Sequence, residues 1–292
     1  MRSIFRGSIV ALVTPFADNG AVDFDAIKAL VEWHIASGTD GILPCGTTGE
    51  SPTLSHDEHD RVVEEVVKAV DGRVPVLAGA GSNSTSEALR LVKHAHECGA
   101  NGALVITPYY NKPTQDGLVA HFETVAASTS LPIIIYNVPG RTGVDIAPTT
   151  VARLAQVDNI TGIKEANPLV DHASEILMRC TIDLLSGNDS LTLPLMAIGG
   201  CGVISVVANI VPDRMSALTK AVFKGDLPKA EQLHRELCPL CRAAFLETNP
   251  MPVKAALAAM GRIKENLRLP LVRMSALPRA ELMDVLRDMG VL

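Results

Sequence analysis

The segment VPVLAGAGSNSTSEALRLVKHAHECGANGALVITP, from Val74 to Pro108, joins two short apolar runs through a stretch of helical periodicity. The runs Val74–Ala78 and Gly102–Ile106 have the length and apolar composition of buried strands. Between them, Leu89 and Val92 recur at the spacing that places side chains on one face of a helix. The segment therefore predicts a strand, a helix and a second strand, which is the unit from which parallel sheets are built.

The same alternation extends through most of the chain. Short apolar runs recur, separated by longer stretches with helical spacing, at Ser8–Val13, Gly41–Leu43, Val74–Ala78, Gly102–Ile106, Pro132–Tyr136, Ile160–Lys164, Asp183–Ser186 and Gly202–Val206. Strands that alternate with helices indicate a parallel sheet. Because the runs number eight, the sequence predicts an α/β fold of the closed (β/α)₈ barrel type rather than an open doubly wound sheet.

The alternation stops around Lys224–Pro228, and the remainder of the chain has helical patterns only. These patterns cover Lys229–Phe245, Met251–Met260 and Pro278–Met289. We therefore predict two parts, a catalytic barrel over residues 1–225 and a small helical addition over residues 226–292.

Two helix starts carry the sequence pattern of a capping box, in which a serine is followed three residues later by a glutamate. Ser55 precedes Glu58 by three residues, and Ser84 precedes Glu87 by the same interval. Each serine is expected to accept a hydrogen bond from the first turn of its helix, while the glutamate bonds back to the serine backbone.

The composition excludes several classes of function. The chain has 292 residues, of which 47% are hydrophobic, and a formal net charge of −6 without any run of Lys or Arg. A nucleic-acid surface or an anionic-membrane surface is therefore not expected. No apolar run is long enough to cross a bilayer, and no signal-peptide pattern is present, so we expect a cytoplasmic protein.

Two motifs that often indicate cofactor or metal binding are incomplete. The glycine-rich run Gly79–Asn83 follows the third predicted strand and lacks the spacing of a dinucleotide-binding turn. The pair Cys238 and Cys241 forms a lone C-x-x-C without a second pair or a nearby histidine at zinc-finger spacing. We interpret these cysteines as partly buried helix thiols, and the incomplete glycine-rich run weakens a dinucleotide-binding interpretation.

The residues that follow the predicted strands have the character of a reaction site. In (β/α)₈ barrels, the working residues lie at the carboxyl ends of the strands. Those ends carry Gly46–Glu50, Thr107–Asn111, Tyr136–Gly143, Lys164–Glu165 and Gly187–Asp189. All three tyrosines of the chain occur in these segments, a concentration that packing alone does not readily explain.

Lys164 is the most informative of these residues. Alternation along a strand predicts that Ile160, Gly162 and Lys164 share one face. If that face points into the barrel, burial lowers the pKa of the amine, and the neutral amine can attack a carbonyl carbon. The alternative is an ion pair with Glu165 or Asp189, and the sequence alone does not decide between the two.

Four neighbouring side chains fit the same chemistry, although each also has an ordinary structural explanation. Tyr136 can relay protons beside an imine-forming lysine, or it can be a core tyrosine with a satisfied hydroxyl. Thr47 and Thr48 suit a small carboxylate, or they belong to a simple turn. Arg141 can bind a second carboxylate bidentately, or it can be a solvated loop charge.

Together these residues resemble the dihydrodipicolinate synthase family of pyruvate-dependent Schiff-base lyases. The resemblance runs through nearly the whole chain, from GSIVALVTPF at Gly7–Phe16 to NPMPVKAAL at Asn249–Leu257. The turn GTTGES at Gly46–Ser51 is shared broadly by the family. The segments TPYYNKP at Thr107–Pro113 and YNVPGRTG at Tyr136–Gly143 are the more specific matches.

The resemblance implies a mechanism and a set of residues. Lys164 would condense with pyruvate, and the enamine would attack the aldehyde of L-aspartate 4-semialdehyde, beginning the diaminopimelate route to lysine. Because the lysine itself is the electron sink, the resemblance implies no metal and no organic cofactor. Thr47, Tyr136 and Tyr110 resemble the proton-relay triad of the family. In that family the counterpart of Tyr110 comes from a neighbouring subunit, which implies a homo-oligomer, commonly a dimer of dimers. The residues implied in substrate binding are Thr48, Arg141, Gly187 and Ile204.

A second, regulatory site is also implied. Some members of the family are inhibited by L-lysine in a cleft at the dimer interface. The residues matching that cleft are Ser51, His56, His59, Asn83, Glu87 and Tyr109. His56 and Glu87 are the informative pair, although polar side chains at two solvated helix starts would look the same. Pro52 departs from the small residue that is often found there.

Two other functions are compatible with parts of this pattern. A sialic-acid or 2-keto-3-deoxy-sugar-acid aldolase would keep Lys164, Tyr136 and the Gly-Thr-Thr turn, but Tyr110 and Arg141 argue against it. A barrel that only binds lysine, as a regulatory module, would use the second site without trapping pyruvate. Fold alone does not distinguish such alternatives.

Overall fold

The computed structural model describes residues 4–292, which form eight strands and twelve α-helices. The strands are β1 Gly7–Ala11, β2 Gly41–Leu43, β3 Leu77–Gly79, β4 Gly102–Ile106, β5 Ile133–Asn137, β6 Ile160–Glu165, β7 Asp183–Ser186 and β8 Gly202–Ser205. The helices are α1 Phe24–Ala36, α2 His56–Val70, α3 Thr85–Glu97, α4 Gln115–Ala127, α5 Pro139–Thr142, α6 Pro148–Leu154, α7 Val170–Arg179, α8 Thr192–Ala197, α9 Pro212–Phe223, α10 Leu227–Ala243, α11 Met251–Ala259 and α12 Ala276–Asp288. Every apolar run that predicted a strand contains or overlaps one.

The eight strands form a closed parallel barrel, which confirms the predicted fold class. Their order is β2-β1-β8-β7-β6-β5-β4-β3, and neighbouring strands in this order pair in parallel. The remaining gap between β2 and β3 is bridged at Ile42 and Val76, where the Ile42 N–H donates to Pro75 O at 3.0 Å. Closure places the carboxyl ends of all eight strands around one rim.

Apolar side chains lie in an inner core and in layers between the strands and the surrounding helices. The inner cluster fills the barrel, with Ile9, Leu43, Leu77, Leu104, Ile134, Tyr136, Leu185 and Ile204 among its members. The helices α10 and α12 contribute Leu237, Leu240 and Leu282 to an outer cluster that also contains Val10 of β1. That cluster crosses the predicted boundary between residues 225 and 226, and the division into two domains stays a prediction.

One prediction about β6 was wrong in detail. Ile160 does not share a face with Gly162 and Lys164, because it packs in an outer cluster together with Ile163. The cause is a register irregularity against β5, where Ile133 pairs with Ile160 and the next residue, Ile134, pairs with Gly162. The extra residue reverses the inside–outside alternation once, so that Lys164 still faces the barrel interior.

The two predicted capping boxes have different outcomes. Ser55 caps α2 as predicted, since its side chain accepts from the Glu58 N–H and the Glu58 side chain accepts from the Ser55 N–H. Ser84 occupies the corresponding position before α3, but its side chain makes no capping bond. The prediction for α3 was wrong because Glu87 is bonded to Ser82 and His56 instead.

In the part of the chain that the structure describes, no helix has the length and apolar character needed to cross a membrane.

The pairing of β1 with β8 depends on a glycine and yields a stability test. Gly202 has φ +151°, and a Cβ placed there would lie 2.2 Å from Gly7 O. We expect Gly202→Ala to lower the free energy of unfolding by about 3 kcal/mol or more, because backbone atoms must move apart. Gly225→Ala is the control: Gly225 has φ +72° but open space around it, so only about 1 kcal/mol is expected. Chemical denaturation followed by circular dichroism measures both, and equal losses would contradict the argument.

Candidate active site

Lys164 and Tyr136 form the centre of the polar rim. They are register partners near the ends of β6 and β5, and both are buried. The Lys164 Nζ lies 4.2 Å from the centroid of the Tyr136 ring. The parallel pairing of adjacent strands thus brings together an amine and a phenol that are well separated in the sequence.

The surroundings of Lys164 favour its neutral form. Burial lowers the pKa of its amine to about 7, and the Arg141 cation acts in the same direction, whereas the Asp189 carboxylate acts to raise it. A large fraction of the Lys164 amine is therefore unprotonated at neutral pH. An unprotonated amine is the state required for attack on a carbonyl carbon.

Both carboxylates that the sequence suggested as ion-pair partners of Lys164 form hydrogen bonds with other groups. Glu165 points away from the barrel and accepts from the Asn137 side chain at 3.0 and 3.2 Å and from the Asn167 N–H at 2.6 Å. Asp189 is bonded to the Ser205 hydroxyl and, at 3.1 Å, to the Val206 N–H. These contacts favour the interpretation of Lys164 as a nucleophile over that of a structural ion-pair partner.

Tyr136 is held in its protonated form. Burial raises the pKa of its phenol to about 12, while Arg141 and a hydrogen bond with Thr47 act to lower it. A phenol hydrogen-bonded to a hydroxyl and adjacent to an amine can pass a proton in either direction. The structure thus brings Thr47, Tyr136 and Lys164 together.

The predicted third member of the relay, Tyr110, lies apart from these three. It follows β4 with φ +73°, and 90% of it is exposed. A tyrosine in a left-handed backbone conformation is uncommon, and that conformation carries a cost which the surrounding structure must offset. Within one chain, the relay therefore has two of its three predicted hydroxyls in contact.

The turn Gly46–Glu50 presents the two threonines and is braced on both sides. Inside the turn, the Gly49 N–H donates to Gly46 O and the Glu50 N–H donates to Thr47 O, each at 3.1 Å. From the end of β1, the Thr14 hydroxyl donates to Gly49 O at 2.7 Å. The turn therefore holds Thr48, which is buried, in a fixed orientation.

Asn249 is a site residue that we did not single out from the sequence. Its side-chain N–H donates to the Thr48 hydroxyl at 3.0 Å, and its carbonyl accepts from Arg141 Nη2 at 3.3 Å. It therefore joins the two residues predicted to bind the two carboxylates. The NPMPVKAAL segment was a signal of family resemblance, but no local pattern indicates that Asn249 returns to Thr48 across 201 positions.

Gly187 and Ile204 complete the predicted set. The Gly187 N–H donates to Glu165 O at 2.7 Å, and a Cβ at this position would lie 2.7 Å from the Ala166 Cβ. Ile204 is buried in the inner cluster that also contains Tyr136. Both positions therefore lie close to the strand ends that carry Lys164 and Tyr136.

A cavity of about 240 Å³ lies beside this centre, without Lys164 in its wall, and reaches most of the second predicted site. Thr47 and Tyr136 line its inner part. The predicted lysine-site residues in its wall are Ser51, His56, His59, Glu87 and Tyr109. Asn83 is not in that wall, and its carbonyl accepts from the Asn111 side chain at 2.9 Å. Two of the predicted reaction-site residues thus share one cavity with five of the six predicted lysine-site residues.

Glu87 gives the outer part of this cavity a negative charge. Its carboxylate is bonded to the Ser82 hydroxyl and, at 2.7 Å, to His56 Nε2, and both contacts lower its pKa. His59 is buried, its Nε2 lies 3.0 Å from Gly79 O, and burial lowers its pKa. An ionised carboxylate in a partly enclosed cavity suits a ligand with an ammonium group.

The described residues, 4–292, contain no group of three or more His, Cys, Asp or Glu side chains that could hold a metal ion. Cys241 is buried in α10, and Cys238 Sγ lies 3.7 Å from His234 Nε2.

A profile of the dihydrodipicolinate synthetase family matches residues 4–289. The chain belongs to this family. A curated relative, the 4-hydroxy-tetrahydrodipicolinate synthase of Syntrophus aciditrophicus, is 54% identical over 291 residues, which cover 99% of this chain and 100% of the relative. The resemblance inferred from the sequence motifs is thereby confirmed.

Two solved structures of this family are similar to this chain over nearly its whole length. Dihydrodipicolinate synthase from Acinetobacter baumannii, complexed with pyruvate, has a TM-score of 0.97 at 44% identity, covering 98% of this chain and 99% of that one. The structure from Cyanidioschyzon merolae with lysine bound has a TM-score of 0.97 at 37% identity and covers 100% of both chains.

The charges around Lys164 predict how its protonation depends on pH. In the ligand-free protein, acetylation of Lys164 should rise with a midpoint near pH 7, since only the neutral amine reacts. Asp189→Asn should lower this midpoint, because it removes the charge that favours the ammonium form, and Arg141→Met should raise it. Competitive labelling with peptide mapping measures all three proteins. A wild-type midpoint near that of a free lysine, about 10.4, would show that burial does not dominate.

Proposed function

We propose that this chain condenses pyruvate with L-aspartate 4-semialdehyde to give 4-hydroxy-tetrahydrodipicolinate, the first committed step of the diaminopimelate route to lysine. One observation carries the proposal: a buried Lys164 with a pKa near 7 lies beside Tyr136. The curated relatives named 4-hydroxy-tetrahydrodipicolinate synthase support it. The cytoplasmic location expected from the sequence stays part of this proposal.

The reaction begins with attack of the neutral Lys164 Nζ on the keto carbon of pyruvate. The carbinolamine takes up a proton at its oxygen and loses water, which leaves a protonated imine joined to Lys164. This cation withdraws electrons from the methyl group, so loss of a methyl proton gives the enamine. Lys164 thus supplies the electron sink, and the proposal requires no metal or organic cofactor.

The enamine carbon then attacks the aldehyde carbon of the second substrate, forming the new carbon–carbon bond and a hydroxyl group. The substrate's amine adds to the imine carbon, which closes the ring and releases Lys164. Each step moves a proton. We assign these proton transfers to Tyr136 and Thr47, and we propose that Tyr110 connects the two residues to solvent. The hydrogen bond between Thr47 and Tyr136 supports the first pair.

Two carboxylates must be bound and distinguished. We assign the pyruvate carboxylate to Thr47 and Thr48, in the turn whose hydroxyl and backbone N–H groups suit a small anion. We assign the semialdehyde carboxylate to Arg141, whose guanidinium offers two parallel donors. Gly187 and Ile204 are assigned to the backbone wall of the site.

We further propose that an active assembly is a homo-oligomer of at least two chains, with a dimer of dimers as the arrangement that the family resemblance implies. The exposure of Tyr110 supports this, because a relay residue that is 90% exposed in one chain needs a second chain to enclose it. A partner subunit's Tyr110 would then complete the relay that Thr47 and Tyr136 begin.

The two alternatives are less well supported. A sialic-acid or 2-keto-3-deoxy-sugar-acid aldolase would also use Lys164 and Tyr136, but it acts on a neutral sugar aldehyde and has no second carboxylate for Arg141. A barrel that only binds lysine would not need an amine whose pKa is near 7.

Borohydride reduction in the presence of pyruvate tests the central step. Reduction converts the imine into a stable amine, so wild-type protein should gain one pyruvate-derived adduct per chain in intact-mass spectrometry. Lys164→Ala should gain none, whereas Lys264→Ala should react like wild type, because Lys264 is a half-exposed lysine paired with Asp18. Turnover with L-aspartate 4-semialdehyde but not with sugar aldehydes would then identify the acceptor. Absence of an adduct on folded wild-type protein would contradict the proposed function.

We also propose that L-lysine inhibits the enzyme by binding in the outer cavity with its side-chain ammonium group near Glu87. Removing that charge should weaken the contact by roughly 1.5–3 kcal/mol, or about tenfold or more in affinity. Glu87→Gln should therefore raise the half-inhibitory lysine concentration by at least that factor. Glu97→Gln, on the same helix and paired with Lys93, is the matched control. Unchanged inhibition in Glu87→Gln would place lysine elsewhere.

A further inference from the structure

A fully buried ion pair connects the Gly46–Glu50 turn to the C-terminal helices. Lys254 of α11 contacts one carboxylate oxygen of Glu50, and both side chains have no solvent exposure. The other oxygen of Glu50 accepts from the Arg268 N–H at 3.1 Å. Lys254 Nζ also donates to Asn266 O at 3.0 Å and lies 4.1 Å from the centroid of the Phe16 ring.

Such a pair needs an explanation other than stability. Removing two charges from water costs several kcal/mol per ion, and a matched pair of apolar side chains is often as stable or more stable. Burial acts on Lys254 itself, lowering the pKa of its amine to about 8 against the opposing effect of Glu50. The apolar cluster formed by α10, α11 and α12 already attaches these helices to the barrel. Because packing already holds these helices on the barrel, the ion pair adds little to their attachment.

The position of Glu50 indicates what the pair holds in place. Glu50 lies two residues after Thr48 and adopts φ +52°, a left-handed conformation that is unfavourable for a residue with a side chain. Its N–H closes the turn on Thr47 O. Because the Glu50 carboxylate is held in place, the backbone of the turn that presents Thr47 and Thr48 is held in place as well.

The C-terminal segment reaches the same turn at a second point. Asn249, five residues before Lys254, donates its side-chain N–H to the Thr48 hydroxyl. The turn is thus held at Thr48 by one residue of this segment and at Glu50 by another. Among residues 4–292, the groups that donate to the Glu50 carboxylate belong to Lys254 and Arg268, and both follow α10.

We propose that Lys254 is a positioning residue, which acts through Glu50 to hold Thr47 and Thr48 in the geometry that binds the pyruvate carboxylate. This inference rests on the proposed function, because it assumes that the turn binds pyruvate. It makes the C-terminal helices part of the substrate site rather than an appendage. Loss of the pair should therefore weaken pyruvate binding, even though Lys254 does not touch the substrate.

The test measures pyruvate binding separately from stability. Lys254→Met removes the charge at similar length, Glu50→Gln keeps an acceptor for the Arg268 N–H, and the double variant removes both charges. The half-saturating pyruvate concentration for borohydride trapping, read by intact mass, should rise about tenfold or more in Lys254→Met, since small displacements of a binding group are costly. Lys264→Met, which breaks the solvent-exposed pair with Asp18, should stay within about twofold of wild type.

The double variant separates positioning from a purely structural role. Lys254→Met alone leaves a buried unpaired carboxylate, so it should unfold at a lower temperature than wild type, whereas the double variant should recover most of that loss. If the pair positions the turn, the double variant regains stability while its half-saturating pyruvate concentration stays raised. If stability and pyruvate affinity both recover, the positioning role is overturned.

The outcomes also separate this inference from the proposed function. If wild-type protein forms no adduct, the proposed function fails and this inference fails with it. If wild-type protein forms the adduct and the folded double variant has the same half-saturating concentration, only the role of Lys254 is wrong. Should Lys254→Met not fold, the double variant alone decides the question, since it carries no unpaired buried charge.

Discussion

The burial of the Lys164 amine is the constraint on which the rest of the site depends. An amine in water holds its proton at neutral pH, and burial in the barrel interior is the largest of the effects that bring the pKa of Lys164 to about 7. The barrel lowers this pKa by surrounding β5 and β6 with aliphatic side chains, while the neighbouring carboxylates form hydrogen bonds with other groups. Glu165 is bonded to Asn137 and Asn167, and Asp189 to Ser205 and Val206.

The other polar groups of the rim follow from this burial. A reactive amine needs proton carriers that do not themselves become charged, and burial keeps Tyr136 protonated in contact with Thr47. A carboxylate substrate needs donors that are already in place, since ordering them during binding would reduce affinity. The turn that carries Thr48 is accordingly held from the end of β1 by Thr14 and from the C-terminal segment by Asn249.

The cavity beside the rim has two chemically different ends. The inner end of the cavity is bordered by Thr47 and Tyr136, and the outer part carries the ionised Glu87 beside His56. Glu87 is available there because it does not cap α3, the role that its spacing from Ser84 suggests. Because Glu87 is bonded to Ser82 and His56 instead of to the helix start, its charge lies beside the cavity, as the proposed lysine site requires.

The sequence by itself determined the barrel, because eight apolar runs alternating with helical patterns have few other ways to bury their apolar faces. It also placed Lys164, Tyr136 and the threonine turn at one rim, since these residues follow strands, and the carboxyl ends of barrel strands meet there. The surroundings that favour a neutral Lys164 amine over an ion pair came only from the tertiary structure. Only the tertiary structure decided which way Ile160 faces, because a register shift depends on the neighbouring strand. It alone brought Asn249 to Thr48 across 201 positions and Lys254 to Glu50 across 204, since no local pattern encodes a contact made by the folding of the C-terminal helices onto the barrel.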